Sequence, residues 1–128
     1  MIDPDTTNPD EKVFLQLQQN GSDLESPMVI DFHFLCPTEV EADRVHDELV
    51  RRGFIVKLYK PDSHQRYRSS KLEPDGEWLI ECMINMQPNT DNLYGAYSEI
   101  KEALQGFDVK SSGWATSGNN FSDRSAAH

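Results

Sequence analysis

The spacing of apolar residues restricts this chain more than any other feature. Four runs alternate apolar with polar positions, as a strand with one buried face must. They are "MVIDFHFL" (Met28 to Leu35), "FIVKLY" (Phe54 to Tyr59), "EWLIECMINM" (Glu77 to Met86) and "FDVKS" (Phe107 to Ser111). Between the first and second lies "TEVEADRVHDELVRRG", and between the third and fourth lies "PNTDNLYGAYSEIKEALQG". Both read as amphipathic helices. In the second, Leu93, Tyr97, Ile100 and Leu104 fall on one stripe. The order strand, helix, strand, strand, helix, strand is the split βαβ pattern. It predicts an α+β, ferredoxin-like βαββαβ sandwich. The four-stranded antiparallel sheet carries both helices on one face, with its first and third strands central.

Local signals support these bounds. Thr38 and Glu41 have capping-box spacing, Arg51 and Arg52 suit the last turn of the first helix, and Gly53 suits its end. Asn89, Thr90 or Asp91 can cap the second helix, which Gly106 ends. Ahead of the first strand, "NPDEKVFLQLQQNG" predicts a short extra helix, with Asn8 as cap, Pro9 at its first position and Asp10 and Glu11 at its positive end. Val13, Phe14 and Leu17 give it an apolar stripe. A helix of about three turns is not stable alone, so it must dock on something.

The alternation also sorts residues between the two sheet faces. Ile30, Phe32 and Phe34 share a face, as do Trp78, Ile80, Cys82, Ile84 and Met86. Opposite them stand Val29, Asp31, His33, Leu35, Ile55, Lys57, Tyr59, Leu79, Glu81, Met83 and Asn85. The helices leave this second face uncovered. An open, half-apolar patch usually meets something. The expected cover is the N-terminal helix or a second copy of the chain; an exchanging partner is the alternative.

The 128 residues suit one core. The expected organisation is a disordered N-terminus over 1–8, a single domain over 9–117 and a disordered, small and polar tail over 118–128. No apolar run approaches the length that spans a bilayer, and no membrane association is expected. The acidic start carries no basic n-region followed by an apolar h-region, so no secretion signal is expected. Cys36 and Cys82 sit in or beside apolar strand-like runs, where a free thiol behaves as a small hydrophobe. A reducing cytoplasm is the expected setting. Net charge is −10, from 12 basic and 22 acidic residues, which argues against a general nucleic-acid-binding surface and suits a basic partner.

No motif for catalysis stands out. His33 and Glu81 can approach one another on the central strands, but no nucleophile or phosphate-binding loop accompanies them. His33 and Cys36 lack the paired spacing of a zinc site. There is no GxGxxG, P-loop or HExxH. A binding or regulatory module rather than an enzyme is therefore expected, with no metal site. One basic island stands out, with Lys60, Arg66, Arg68 and Lys71 interleaved with His64 and Tyr67. Arg and aromatic side chains together can grip single-stranded RNA, so Lys60, Arg66, Tyr67, Arg68 and Lys71 are the candidates for RNA contact. A solvated loop is the simpler reading.

"NGSDLESPMVIDFHFL", then a helix, then "RRGFIVKLY", resembles the opening of the regulator of ribonuclease E activity B family. "FDVKSSGWATS" is similar to that family's "YDGWGT" hallmark, carried here by Ser111 to Thr116. The resemblance covers roughly Val13 to Ser117. It implies a ferredoxin-like fold in a bacterial cytoplasmic protein that binds ribonuclease E and inhibits its endonucleolytic cleavage, so modulating mRNA decay, with no cofactor. The chain departs from the pattern at Ser111 and Ser112, where the family has Tyr and Asp, and at Ala115, where it has Gly. It also lacks the family's acidic tail, and its basic connection is long. Candidate partner contacts are Asp31, His33, Tyr59 and Glu81 on the open face, and Trp114. For Trp114 the simpler expectation is a lid folded back over the helix-side core, with Gly113 supplying the backbone freedom; a place in a docking surface is the alternative. Oligomeric state and the transcripts affected do not follow from the sequence.

Overall fold

The structure is a computed structural model, which describes residues 2–61 and 77–119. Along the chain these form α1 (Pro9–Gln19), β1 (Met28–Cys36), α2 (Glu39–Arg51), β2 (Ile55–Tyr59), β3 (Trp78–Met86), α3 (Thr90–Ala103) and β4 (Lys110–Ala115). The strands make one antiparallel sheet in the order β2-β3-β1-β4. With the helices, this is the ferredoxin-like α+β arrangement that the alternation predicts.

The helix ends follow local chemistry. Asn8 accepts from the backbone N–H groups of Asp10 and Glu11, and Asn89 accepts from that of Asn92, so donors that begin each helix without a partner are satisfied. Thr38 accepts from Glu41 N, but the reciprocal half of the predicted capping box is diverted. Glu41 Oε1 takes a bond from Arg44 and Oε2 takes one from the backbone N–H of Asp108 at 2.7 Å. The carboxylate thus ties α2 to the entry of β4. At the other end of α2, Gly53 adopts φ +96°. Gly53 N bonds to Val50 O and Phe54 N to Leu49 O, the paired bonds of a Schellman turn.

The core lies between the sheet and the helices. Ile30, Phe32, Phe34, Ile80 and Cys82 from the sheet meet Val45 and Leu49 from α2 and Leu93 and Ile100 from α3, all buried. Cys36 and Cys82 are free and buried. Burial pushes both thiols up to about 12, so neither is a thiolate nucleophile near neutral pH.

Two expectations change here. The N-terminal helix does not cover the open face: Phe14 is fully buried in the core cluster on the helix side, with its ring 5.4 Å from that of Trp114. Nor is the open face uniformly open. Leu35 and Leu79 are only 3% and 4% exposed, whereas Val29 and Ile55 at its other end are 45% and 67% exposed.

The last strand also begins later than "FDVKS" suggests. Phe107 and Val109 pack against the core ahead of it, and the strand itself carries Trp114. Phe34 faces Ser111 and His33 faces Gly113, so β4 holds one more residue than β1 at Ser112. A bulge of one residue flips every side chain beyond it to the other face. Strict alternation from Ser111 would put Trp114 opposite Asp31 on the open face. With the bulge it stands opposite Phe32, on the core side.

Candidate functional site

On the open face, strand period and register bring three titratable side chains together. Asp31 and His33 are two apart on β1 and so point the same way. Glu81 on β3 is directly opposite His33. His33 Nε2 lies 3.2 Å from Glu81 Oε2, and the Tyr59 hydroxyl of β2 donates to Glu81 Oε1 at 3.1 Å. One ligand-type atom from each of Asp31, His33 and Glu81 lies within 4.8 Å of the other two. The His33 and Glu81 side chains are 25% and 18% exposed, so the group is half sunk in the sheet surface rather than fully solvated. Burial pushes the Asp31 carboxyl above its ordinary range and the Glu81 carboxylate adds to that, while His33 and Lys57 act the other way. Lys57, exposed, is the β2 neighbour of Glu81 in the same row. On the β4 side that row ends at Gly113, where an added Cβ would meet only open space.

Four of the five predicted partner-contact residues therefore form one cluster. Trp114, the fifth, is on the other side of the sheet. Its indole Nε1 donates to Asp10 Oδ1 at 2.9 Å, and its ring packs on Phe14. Asp10 Oδ2 accepts from the Tyr94 hydroxyl of α3 at 2.9 Å, and Asn8 Nδ2 donates to the same hydroxyl. One carboxylate at the start of α1 thus joins three elements, and Trp114 clamps that helix down. Of the basic island, Lys60 is exposed just after β2. Arg66, Tyr67, Arg68 and Lys71 lie outside the described residues.

Sequence reading did not find Asp10 or Tyr94. Each looked like an ordinary helix-surface residue, and their bonds join positions 84 and 104 apart. It also missed the role of "GSD". Asn119 donates through Nδ2 to Asp23 O, Ser26 O and Pro27 O, and its Oδ1 accepts from Asp23 N at 2.8 Å. Asn119 N in turn donates to the buried Ser22 hydroxyl. The Ser22–Pro27 loop is therefore wrapped around one amide from the far end of the chain.

Among the described residues, no helix is long and apolar enough to cross a membrane. Compared with curated proteins, the chain matches none. The family model described as "Regulator of ribonuclease activity B" matches residues 7–116, from just before α1 to just after β4. The sheet, its helices and the Trp114 clamp all fall inside that match, and the chain belongs to the regulator of ribonuclease activity B family.

Proposed function

We propose that this chain is a protein regulator, not an enzyme, which binds ribonuclease E and inhibits its endonucleolytic cleavage of RNA in a bacterial cytoplasm. The family match over residues 7–116 carries this reading. The net charge of −10 supports it: an acidic domain is drawn to the basic, RNA-binding surface that an endoribonuclease needs. Complementary charge raises the encounter rate and weakens with salt. The docking surface in this reading is the open sheet face. There the acidic groups Asp31 and Glu81 adjoin the exposed apolar side chains of Val29 and Ile55, which suits a basic segment with an apolar edge. Direct RNA binding through Lys60 to Lys71 is disfavoured by the charge, since phosphate repels an acidic domain.

The test is an RNA-cleavage titration with purified ribonuclease E, paired with a pull-down eluted in salt steps and repeated after nuclease treatment. Inhibition that survives in nuclease-treated components and is relieved by Val29→Lys with Ile55→Lys supports the proposal. Retention that nuclease abolishes, and that Arg66→Ala with Arg68→Ala removes, overturns it in favour of RNA binding.

A further inference from the structure

We propose that Asp31, His33 and Glu81 form a binding site for a first-row divalent cation of the zinc class on the open face of the sheet. The inference does not rest on the ribonuclease reading, because the site is defined by this chain alone. The Asp-x-His pair on β1 and the directly opposed Glu81 on β3 place two carboxylates and one imidazole on a single side of a rigid antiparallel ladder. One nitrogen and two oxygen donors of this kind suit zinc and its neighbours, not the all-oxygen shells preferred by calcium. Zinc binds such donors at roughly 2.0–2.2 Å, which puts tetrahedral ligands about 3.4 Å apart. The His33–Glu81 contact already has that spacing at 3.2 Å. Asp31 must draw in from within 4.8 Å, a side-chain rotation that needs no backbone change.

Three further observations favour a cation there. The Tyr59 hydroxyl holds Glu81 Oε1, leaving Oε2 turned to His33, as an outer partner does for a ligating carboxylate. Gly113 leaves the flank beside His33 without a side chain, so a fourth ligand such as water can approach. Two carboxylates also share a half-buried corner in which Lys57 is the nearby lysine acting on Asp31. That ammonium is exposed on β2 and is a competitor that a metal would displace. Ligation through Nε2 requires that nitrogen to be free of a proton, so with a cation bound the neutral ring holds its hydrogen on Nδ1.

Titration of zinc chloride into the chelator-treated full-length protein, read by calorimetry, tests the site. The expected result is one equivalent bound with a dissociation constant well below about 100 µM. His33→Ala, Glu81→Gln and Asp31→Asn should each weaken binding at least ~10-fold, and Lys57→Ala should tighten it. A combined His46→Ala, His64→Ala and His128→Ala variant should bind like the parent. Asp31→Asn guards against misfolding as an explanation, because it should melt at or above the parent temperature in chelator while still losing zinc. The proposal is overturned if no saturable one-to-one binding is seen, if binding survives His33→Ala, or if it is lost in the combined histidine variant. The ribonuclease titration uses Val29 and Ile55, which are not ligands, so either proposal can fail without the other.

Discussion

The two faces of one sheet are built from the same strands yet obey different physics. On the helix side, Ile30, Phe32, Phe34, Ile80 and Cys82 interdigitate with two helices and are removed from water. There the hydrophobic effect and close packing dominate, and almost any polar replacement is costly. On the open side the same strands carry Asp31, His33 and Glu81 in a half-buried row. The free energy of that row comes from hydrogen bonds and charge, and part of it is unfavourable: two carboxylates sit near each other where burial raises the cost of ionising Asp31. A chain optimised for stability alone would not keep that arrangement. The contrast separates the residues that make the fold from those available to bind.

Moving one residue from the open side to the core side, or back, tests the contrast most severely. Deleting Ser112 removes the bulge, so Trp114 should rotate to the open face and lose Asp10 and Phe14. We expect a loss of about 4 kcal/mol or more, on the scale of emptying a large aromatic site, and Trp114→Ala with Ser112 kept should cost a similar amount. An unchanged melting temperature after the deletion would break the assignment of Trp114 to the core side. Next in size is Phe32→Ala, at about 3–5 kcal/mol by chemical denaturation. Its open-face counterpart Ile55→Ala, at 67% exposure, should cost less than ~0.5 kcal/mol. Equal losses at the two positions would erase the distinction between the faces.

A smaller effect is expected at the helix clamp. Asp10→Asn keeps the shape but weakens the bonds from Trp114 and Tyr94, and should cost about 1 kcal/mol. Proteolysis should then release the segment before Met28 faster than in the parent. The smallest effect has the opposite sign. The carboxyl of Asp31 holds its proton more tightly in the native chain than in the unfolded one. Its contribution to stability is therefore complete below the unfolded value of 3.8 and is lost as pH rises through the higher native value. Asp31→Asn should raise the melting temperature at pH 7 by about 2 °C, and the gain should vanish as the pH falls toward 3. A destabilised Asp31→Asn protein at neutral pH would contradict the picture of crowded carboxylates.

The alternation made the sheet legible, because period two sorts residues between faces without any knowledge of the rest of the chain. It located Asp31, His33 and Glu81 on one side, and antiparallel pairing of the central strands brought His33 toward Glu81. At β4 strict alternation alone would set Trp114 on the open face, because a bulge has no local signature in "KSSGWA"; the expectation of a lid over the helix-side core, drawn from the Gly113-Trp114 turn, matches its place. The seat of α1 was illegible for a related reason: the helix carries an apolar stripe that demands a partner, but the partner is fixed by Asp10, Tyr94 and Trp114, which are far apart in sequence. The convergence of Asp31 with the His33–Glu81 pair was less legible, since spacing rules look along a chain and these ligand-type atoms meet across a ladder.

The clamp on α1 bears on the order in which the molecule can be completed during synthesis. Asp10 leaves the ribosome 104 positions ahead of its indole partner. Until β4 has emerged, β1 lacks its outer neighbour and Phe14 lacks Trp114, so α1 is made well before its seat is complete. The nascent chain therefore carries an incompletely docked amphipathic helix until Trp114 has emerged, and a truncation before Trp114 leaves that helix without its clamp.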